Sequence, residues 1–125
     1  MMTPQQWNVA LSPAKSFTEC QSAVFREAVK VLRDIPADYP LSTNELADML
    51  YPPAFAHGEG ITARRRLFET LFRLAKNHMK SRTSRGAPRR VHYAGKRIFH
   101  TNNSRTICPI LWHQPTEEPV TCSTH

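Results

Sequence analysis

The sequence has few cysteines and no long apolar run. Three cysteines in 125 residues are too few, and odd in number, for a disulfide framework, so we expect a protein of a reducing compartment. No stretch approaches the roughly 20 apolar residues that cross a bilayer. Residues 1–15 lack the basic flank and the apolar run of a signal peptide. We therefore expect a soluble, cytoplasmic protein that makes no contact with a membrane.

The common signatures of catalysis are also missing. The sequence has no glycine-rich phosphate loop and no Ser-His-Asp set. Six histidines in a basic chain leave open a metal-independent nuclease, in which His92, His100 and His113 would handle a phosphodiester together with Lys or Arg. The basic part of the chain offers them a single carboxylate, Glu69. We therefore expect a protein that is not an enzyme and holds no cofactor.

Acidic residues are nearly absent from one part of the chain. Residues 61–105 hold thirteen Lys and Arg and one acid, which gives a net charge of +12. Residues 1–60 hold four cations and seven acids, and residues 106–125 hold two acids, so the whole chain has a net charge of +7. Charge that is sorted in this way produces a directional field, and the basic segment is expected to attract a polyanion.

Helical periodicity extends to about residue 81. Thr3 and Pro4 predict the start of a short helix over residues 4–11. Apolar residues at three- and four-residue spacing predict a second helix over residues 19–34, with Thr18 as its N-cap. The apolar residues of the second helix form one face, which is expected to lie in the core.

Two further helices are predicted before the chain changes its period. Ser42 and Glu45 have the spacing of a capping box, which predicts a helix that ends before Pro52. A longer helix is predicted over residues 62–81. On a helical wheel its apolar face holds Leu67, Phe68, Leu71, Phe72, Leu74, Ala75 and Met79. Its polar face holds Arg66, Thr70, Arg73, Lys76, Asn77 and Lys80.

From residue 89 the pattern alternates as in a β-strand. Residues 89–100 predict a hairpin that turns at Ala94 and Gly95, and residues 105–113 predict one more strand. We expect Trp7 and Trp112 in the core. The fold class is therefore α+β, with three to four helices followed by a β-hairpin in one domain over residues 1–113. Residues 114–125 are expected to form an extended tail.

This order of elements resembles a winged helix-turn-helix module. The residues that carry the resemblance are "LSTNELADML" as supporting helix, "TARRRLFETLFRLAKNHMK" as recognition helix and "RRVHYAGKRIFH" as wing. The resemblance implies a recognition helix in the major groove and wing cations on phosphates. The helix residues assigned to this site are Arg64, Arg65, Arg66, Arg73, Lys76 and Lys80. The phosphate-binding residues are Arg82, Arg85, Arg89, Arg90, Lys96 and Arg97.

The predicted function is non-catalytic binding of nucleic acid, with DNA preferred over RNA. We expect a winged-helix transcription regulator or a DNA-handling accessory factor of phage or mobile-element type, and a homodimer stays open. The alternative is an interaction protein or inhibitor that docks its basic face on an acidic partner protein or a ribonucleoprotein. Both hypotheses use the same charge.

A zinc site is the weaker alternative for the end of the chain. Two cysteines and two histidines, the ligand types of tetrahedral zinc, follow one another as Cys108, His113, Cys122 and His125. Their spacing is unlike that of the common zinc fingers, and a proline follows the first of them. We therefore expect no bound metal.

Overall fold

The computed structural model describes residues 1–83, 96–101 and 110–117, and within them it leaves aside the side chains of residues 76–83, 96, 97, 100, 101 and 117. Four helices are followed by a two-stranded antiparallel hairpin, so the predicted α+β class is confirmed. The helices are α1 (Pro4–Ala10), α2 (Phe17–Leu32), α3 (Thr43–Leu50) and α4 (Glu59–Thr83). The strands are β1 (Lys96–Thr101) and β2 (Ile110–Glu117). None of the described helices is long and apolar enough to cross a membrane.

Helices α1, α2 and α3 each begin with a capping box. In the third of these, the Glu45 backbone N–H donates to the Ser42 hydroxyl at 3.1 Å, and the Ser42 N–H donates to the Glu45 carboxylate at 2.8 Å. Each box satisfies two backbone donors that a helix start leaves without a partner. The prediction of this box at α3 is confirmed.

The N-cap predicted for α2 was wrong. Ser16, not Thr18, caps this helix, because its backbone is extended and Glu19 stands three residues later to complete the box. Thr18 lies inside the first turn. The helix therefore begins at Phe17 and ends at Leu32, about two residues earlier at each end than predicted.

Helix α4 starts earlier than predicted because two glycines shape its beginning, one directly before it and one in its first turn. Residues 51–58 connect α3 to α4 and contain a single 3-10 turn, Pro53–Phe55. Gly58 has a φ of 59°, which L side chains rarely adopt. A Cβ atom on Gly60 would collide with the Tyr51 hydroxyl. The helix can therefore begin at Glu59, directly against the buried tyrosine.

Helix α4 packs against α1, α2 and α3, and the core lies between them. Trp7 and Trp112 are both fully buried, as predicted. The Trp7 indole N–H donates to the backbone carbonyl of Leu50 at 2.9 Å, which joins α1 to the end of α3. The buried indole thus has the polar partner that a core tryptophan needs.

The described sheet pairs β1 with β2. In the antiparallel register Phe99 lies opposite Trp112 and His100 lies opposite Leu111, with an irregularity between Arg97 and Phe99. The predicted turn at residues 94–95 lies outside the described residues. Strand β2 continues through Glu117, so residues 114–117 belong to the hairpin and not to a separate tail as predicted.

Trp112 attaches the hairpin to the helices. Its backbone exchanges two hydrogen bonds of 2.8 Å with Leu41, which lies between α2 and α3. Its indole N–H donates to the hydroxyl of Thr43, the first residue of α3, at 2.9 Å. Its ring lies 5.2 Å from that of Phe99 on β1. One residue therefore connects both strands with the start of α3.

We expect Trp112→Phe to lower the free energy of unfolding by about 1–3 kcal/mol, because the buried Thr43 hydroxyl loses its partner. Thr43→Val should lower it by a similar amount, since it leaves the indole N–H unpaired. The double variant should lose less than the two single losses added together. Urea unfolding followed by circular dichroism measures all three. Tyr39→Phe, at an exposed position, is the control, and single variants that unfold at the wild-type midpoint would contradict this role.

Glu27 is a buried carboxylate whose partners keep it ionised. Burial acts to raise the pKa of Glu27, but the hydrogen bonds from Lys30 and from the Met2 backbone N–H, with the charges of Lys30 and Arg26, outweigh it and lower the pKa. Because the folded pKa lies below the unfolded one, this contribution to stability is complete above the unfolded pKa. It is lost as pH falls through the folded pKa.

We expect Glu27→Gln to lower the free energy of unfolding at pH 7 by about 1–3 kcal/mol. The variant should also lose less stability than the wild type as the pH falls below about 4.3. Urea unfolding over a pH series measures both effects, with Asp38→Asn, at an exposed position, as the control. Equal pH dependence in the wild type and Glu27→Gln would show that this carboxylate does not contribute.

Candidate nucleic-acid interface

The outward side of α4 differs from the predicted one. Thr70 is only 3% exposed, because its hydroxyl donates to the Arg66 carbonyl at 2.7 Å and can enter the core. Phe72 is 49% exposed, although it was predicted to be buried. The buried stripe consists of Ala63, Leu67, Thr70, Leu71, Leu74 and Ala75. We call the exposed side chains between residues 61 and 73 the outer face of α4, which comprises Ile61, Arg65, Glu69, Phe72 and Arg73.

Arg64 is committed to the fold. Its guanidinium makes an ion pair with Asp48 of α3, and its Nε donates to the Tyr51 carbonyl at 3.0 Å. It also lies 5.1 Å from the centre of the Phe68 ring. The side chain is 19% exposed and its charge is balanced. It therefore joins α4 to the end of α3, on one flank of the outer face.

Arg66 and Arg73 lie on the other flank, toward the junction of α1 and α2. The Arg66 Nη2 donates to the backbone carbonyl of Lys15 at 3.2 Å and contacts the Cys20 sulfur at 3.4 Å. Its Nε is buried and has no partner among the described residues. The Arg73 guanidinium lies 4.4 Å from the centre of the Phe17 ring, a cation–π contact. Neither arginine makes an ion pair with a carboxylate of the described residues.

Arg65 lies between these two flanks and is exposed. No described carboxylate is within ion-pair distance of it. Three consecutive arginines thus have three different surroundings: Arg64 faces α3, Arg65 faces solvent and Arg66 faces α2. Of the predicted helix cations with described side chains, Arg65, Arg66 and Arg73 keep an unbalanced charge.

The remaining predicted cations lie where their side chains are not described. Lys76, Lys80 and Arg82 belong to α4, and Lys96 and Arg97 belong to β1. Arg85, Arg89 and Arg90 lie outside the described residues.

Lys15 and Phe17 belong to the arginine-bearing flank, and sequence reasoning missed both. Lys15 is an isolated cation in the acidic half of the chain, so its charge gave no signal. Phe17 follows an N-cap that had been placed two residues too late. Only the contacts of Arg66 and Arg73 bring this junction to the side of α4.

Most of the candidate metal and nuclease residues lie outside the described part of the chain. These are His92, Cys108, Cys122 and His125. The His113 Nδ1 lies 2.8 Å from the Gln114 carbonyl oxygen. In residues 1–83, 96–101 and 110–117, no group of three or more potential ligands is placed to hold a metal ion. His100 lies opposite Leu111 rather than His113 in the strand register.

Comparisons with models of protein families, with curated proteins and with solved structures return no match.

The different surroundings of neighbouring arginines predict different effects on stability. We expect Arg64→Ala to lower the free energy of unfolding by about 1–2 kcal/mol, because Asp48 and the Tyr51 carbonyl lose a partner. Arg65→Ala removes the same charge from an exposed position and should change it by less than about 0.5 kcal/mol. Urea unfolding measures the difference, and equal effects would contradict the structural role of Arg64.

Proposed function

We propose that this protein binds nucleic acid without catalysing a reaction, that duplex DNA is its preferred target, and that it acts in the cytoplasm. A role in transcription control or as an accessory to DNA handling follows from that binding. The observation that carries the proposal is the unbalanced charge of α4, where Arg65, Arg66 and Arg73 have no carboxylate partner among the described residues.

The ion pairs that other cations make within the chain support the proposal of a polyanionic ligand for α4. Arg26 and Lys30 of α2 both contact Glu27, and Arg64 contacts Asp48. The chain therefore pairs cations with its own acids where these serve the fold. Leaving several arginines of one helix unpaired costs stability through mutual repulsion. A polyanionic ligand would relieve that repulsion, and phosphates would supply most of the affinity.

The shape of α4 supports duplex DNA over a small anion. The helix has 25 residues, and at 1.5 Å per residue it is about 37 Å long. An α-helix of this kind fits the major groove of B-DNA. The hairpin that follows α4 begins with Lys96 and Arg97, and Trp112 holds it on the helical bundle. Supporting helix, long basic helix and hairpin thus follow one another as expected for a winged helix.

The mixed chemistry of the outer face supports contacts with base edges. A surface that only grips phosphates is expected to be uniformly cationic, because an acid would repel the backbone. The outer face instead combines arginines with Glu69 and Phe72. Arginine can bind guanine, a carboxylate can accept from cytosine and an apolar side chain can contact the thymine methyl group. The proposed target is therefore a duplex of preferred sequence.

One observation favours docking on an acidic protein as a second candidate. Ile61 and Phe72 of the outer face are 57% and 49% exposed, and large exposed apolar side chains are typical of protein interfaces. Arginine is enriched in such interfaces as well. The charge of α4 is expected for both candidates. A binding measurement is therefore needed to distinguish docking on an acidic protein from DNA binding.

The test is fluorescence anisotropy with labelled duplexes of several different sequences between about 50 and 200 mM salt. The wild type should bind with a steep salt dependence, and Arg65→Ala should lower the slope of log K against log salt by about 0.9, the loss of one phosphate contact. A loss of sequence preference instead would assign Arg65 to a base. Arg33→Ala is the charge-matched control, at an exposed position beyond the opposite end of α2.

Two outcomes would contradict the proposal. If the wild type binds no duplex at the lowest salt concentration, DNA is not the target and docking on an acidic protein becomes the leading candidate. If Arg65→Ala and Arg33→Ala weaken binding equally, the duplex responds to net charge and not to α4. Phe72→Ser should weaken duplex binding if the outer face enters the groove, and should leave it unchanged if this face serves a protein partner.

A further inference from the structure

Two predicted arginines of α4 reach the place where α1 joins α2, beside Lys15, which was not among the predicted site residues. The Lys15 carbonyl accepts a hydrogen bond from Arg66, and Arg73 lies over Phe17, two residues further along. Lys15 directly precedes Ser16, the N-cap of α2. The backbone of Lys15 and the side chains of Arg66 and Arg73 therefore lie together at the α1–α2 junction, and we call these three residues the junction cluster.

The junction cluster is under-neutralised. One carboxylate near Lys15 is Glu19, whose pKa is lowered by the hydrogen bond from the Ser16 backbone, by the Ser16 side chain and by the charge of Lys15. Glu19 accepts the Ser16 backbone N–H at 2.8 Å and is thus engaged in the capping box. Glu69 of α4 is the second nearby carboxylate, three residues from Arg66 and four from Arg73. Three cations against two carboxylates leave a net charge of +1. The Arg66 Nε adds a buried donor without a partner among the described residues.

The two arginines of the cluster are held in place without an acid. Arg66 is oriented by the Lys15 carbonyl and the Cys20 sulfur, and Arg73 is oriented by the face of Phe17. Neutral contacts of this kind fix a guanidinium and leave its charge available. A ligand that binds there meets groups that have already lost side-chain freedom, which favours affinity.

The opposite flank of α4 has the reverse charge. There Arg64 is paired with Asp48, and Glu45 and Asp48 of α3 are both exposed. A phosphate chain that passed on the α3 side would approach two carboxylates, whereas one on the α2 side would approach the junction cluster. The two flanks of the outer face are therefore not equivalent for a polyanion.

We propose that Lys15, Arg66 and Arg73 bind the phosphate backbone of DNA at the α1–α2 junction, on the flank of α4 that lies away from α3. This inference rests on the proposed function, and it adds a phosphate contact from outside the helix and hairpin that the sequence pointed to. It also orients the duplex, since one strand passes over the start of α2.

The test compares Lys15→Gln with Arg33→Gln in the same anisotropy titration. Both variants remove one positive charge, and the two residues flank α2, whose 16 residues span about 24 Å. Lys15→Gln should lower the salt slope by about 0.9 and weaken binding up to about eightfold at 0.1 M salt. Arg33→Gln should leave the slope unchanged.

Phe17→Leu tests the cluster at constant net charge. It removes the ring that orders Arg73 and should weaken duplex binding about two- to threefold, because Arg73 then loses its side-chain freedom only on binding. Its urea midpoint is measured in parallel to verify that it folds, and its far-ultraviolet circular dichroism should match that of the wild type.

The outcomes that contradict the proposed function differ from those that contradict the junction cluster alone. A wild type that binds no duplex overturns the proposed function and this inference with it. A wild type that binds, with Lys15→Gln unchanged, overturns only the junction cluster. Equal losses in Lys15→Gln and Arg33→Gln also overturn it, because the effect would then follow net charge rather than position.

Discussion

The attachment of the hairpin at Trp112 is the constraint on which the architecture depends. A two-stranded hairpin alone is marginally stable in water. Here Trp112 of β2 is fixed through its backbone to Leu41, through its indole N–H to Thr43 and through its ring to Phe99. These contacts join segments far apart in the chain. They give the strands a buried face and set their position relative to α3.

Helix α4 carries the second constraint, because it packs against three other helices and still presents a charged surface. Because successive residues of a helix point in different directions, its arginines have different partners. Arg64 stabilises the contact with α3, Arg66 is oriented at the α1–α2 junction, and Arg65 stays in solvent. The proposed DNA contact uses the cations that the fold does not neutralise. Stability and binding thus draw on neighbouring residues of the same helix.

Local signals in the sequence were sufficient for the starts of α1 and α3, but not for the bounds of α2 and α4. The capping boxes at α1 and α3 depend on residues three apart, so the Thr3 start and the Ser42 box could be identified without knowing the fold. The start of α2 was placed too late because Ser16 and Thr18 are both good caps. The start of α4 also depends on the close contact between Gly60 and Tyr51. These two residues are nine apart in the sequence, so a local capping pattern does not include both. The strand register was equally non-local.

The sequence by itself determined the α+β class, the sorting of positive charge into residues 61–105 and the presence of a long basic helix. Only the tertiary structure decided which side of that helix is buried, which of its arginines keep an unbalanced charge and that Lys15 lies near them. The physical reason is that periodicity shows which residues share a helix face, but not how wide the buried stripe is. Three neighbouring helices bury Thr70 and leave Phe72 in solvent. The sequence of α4 by itself does not show where those three helices lie.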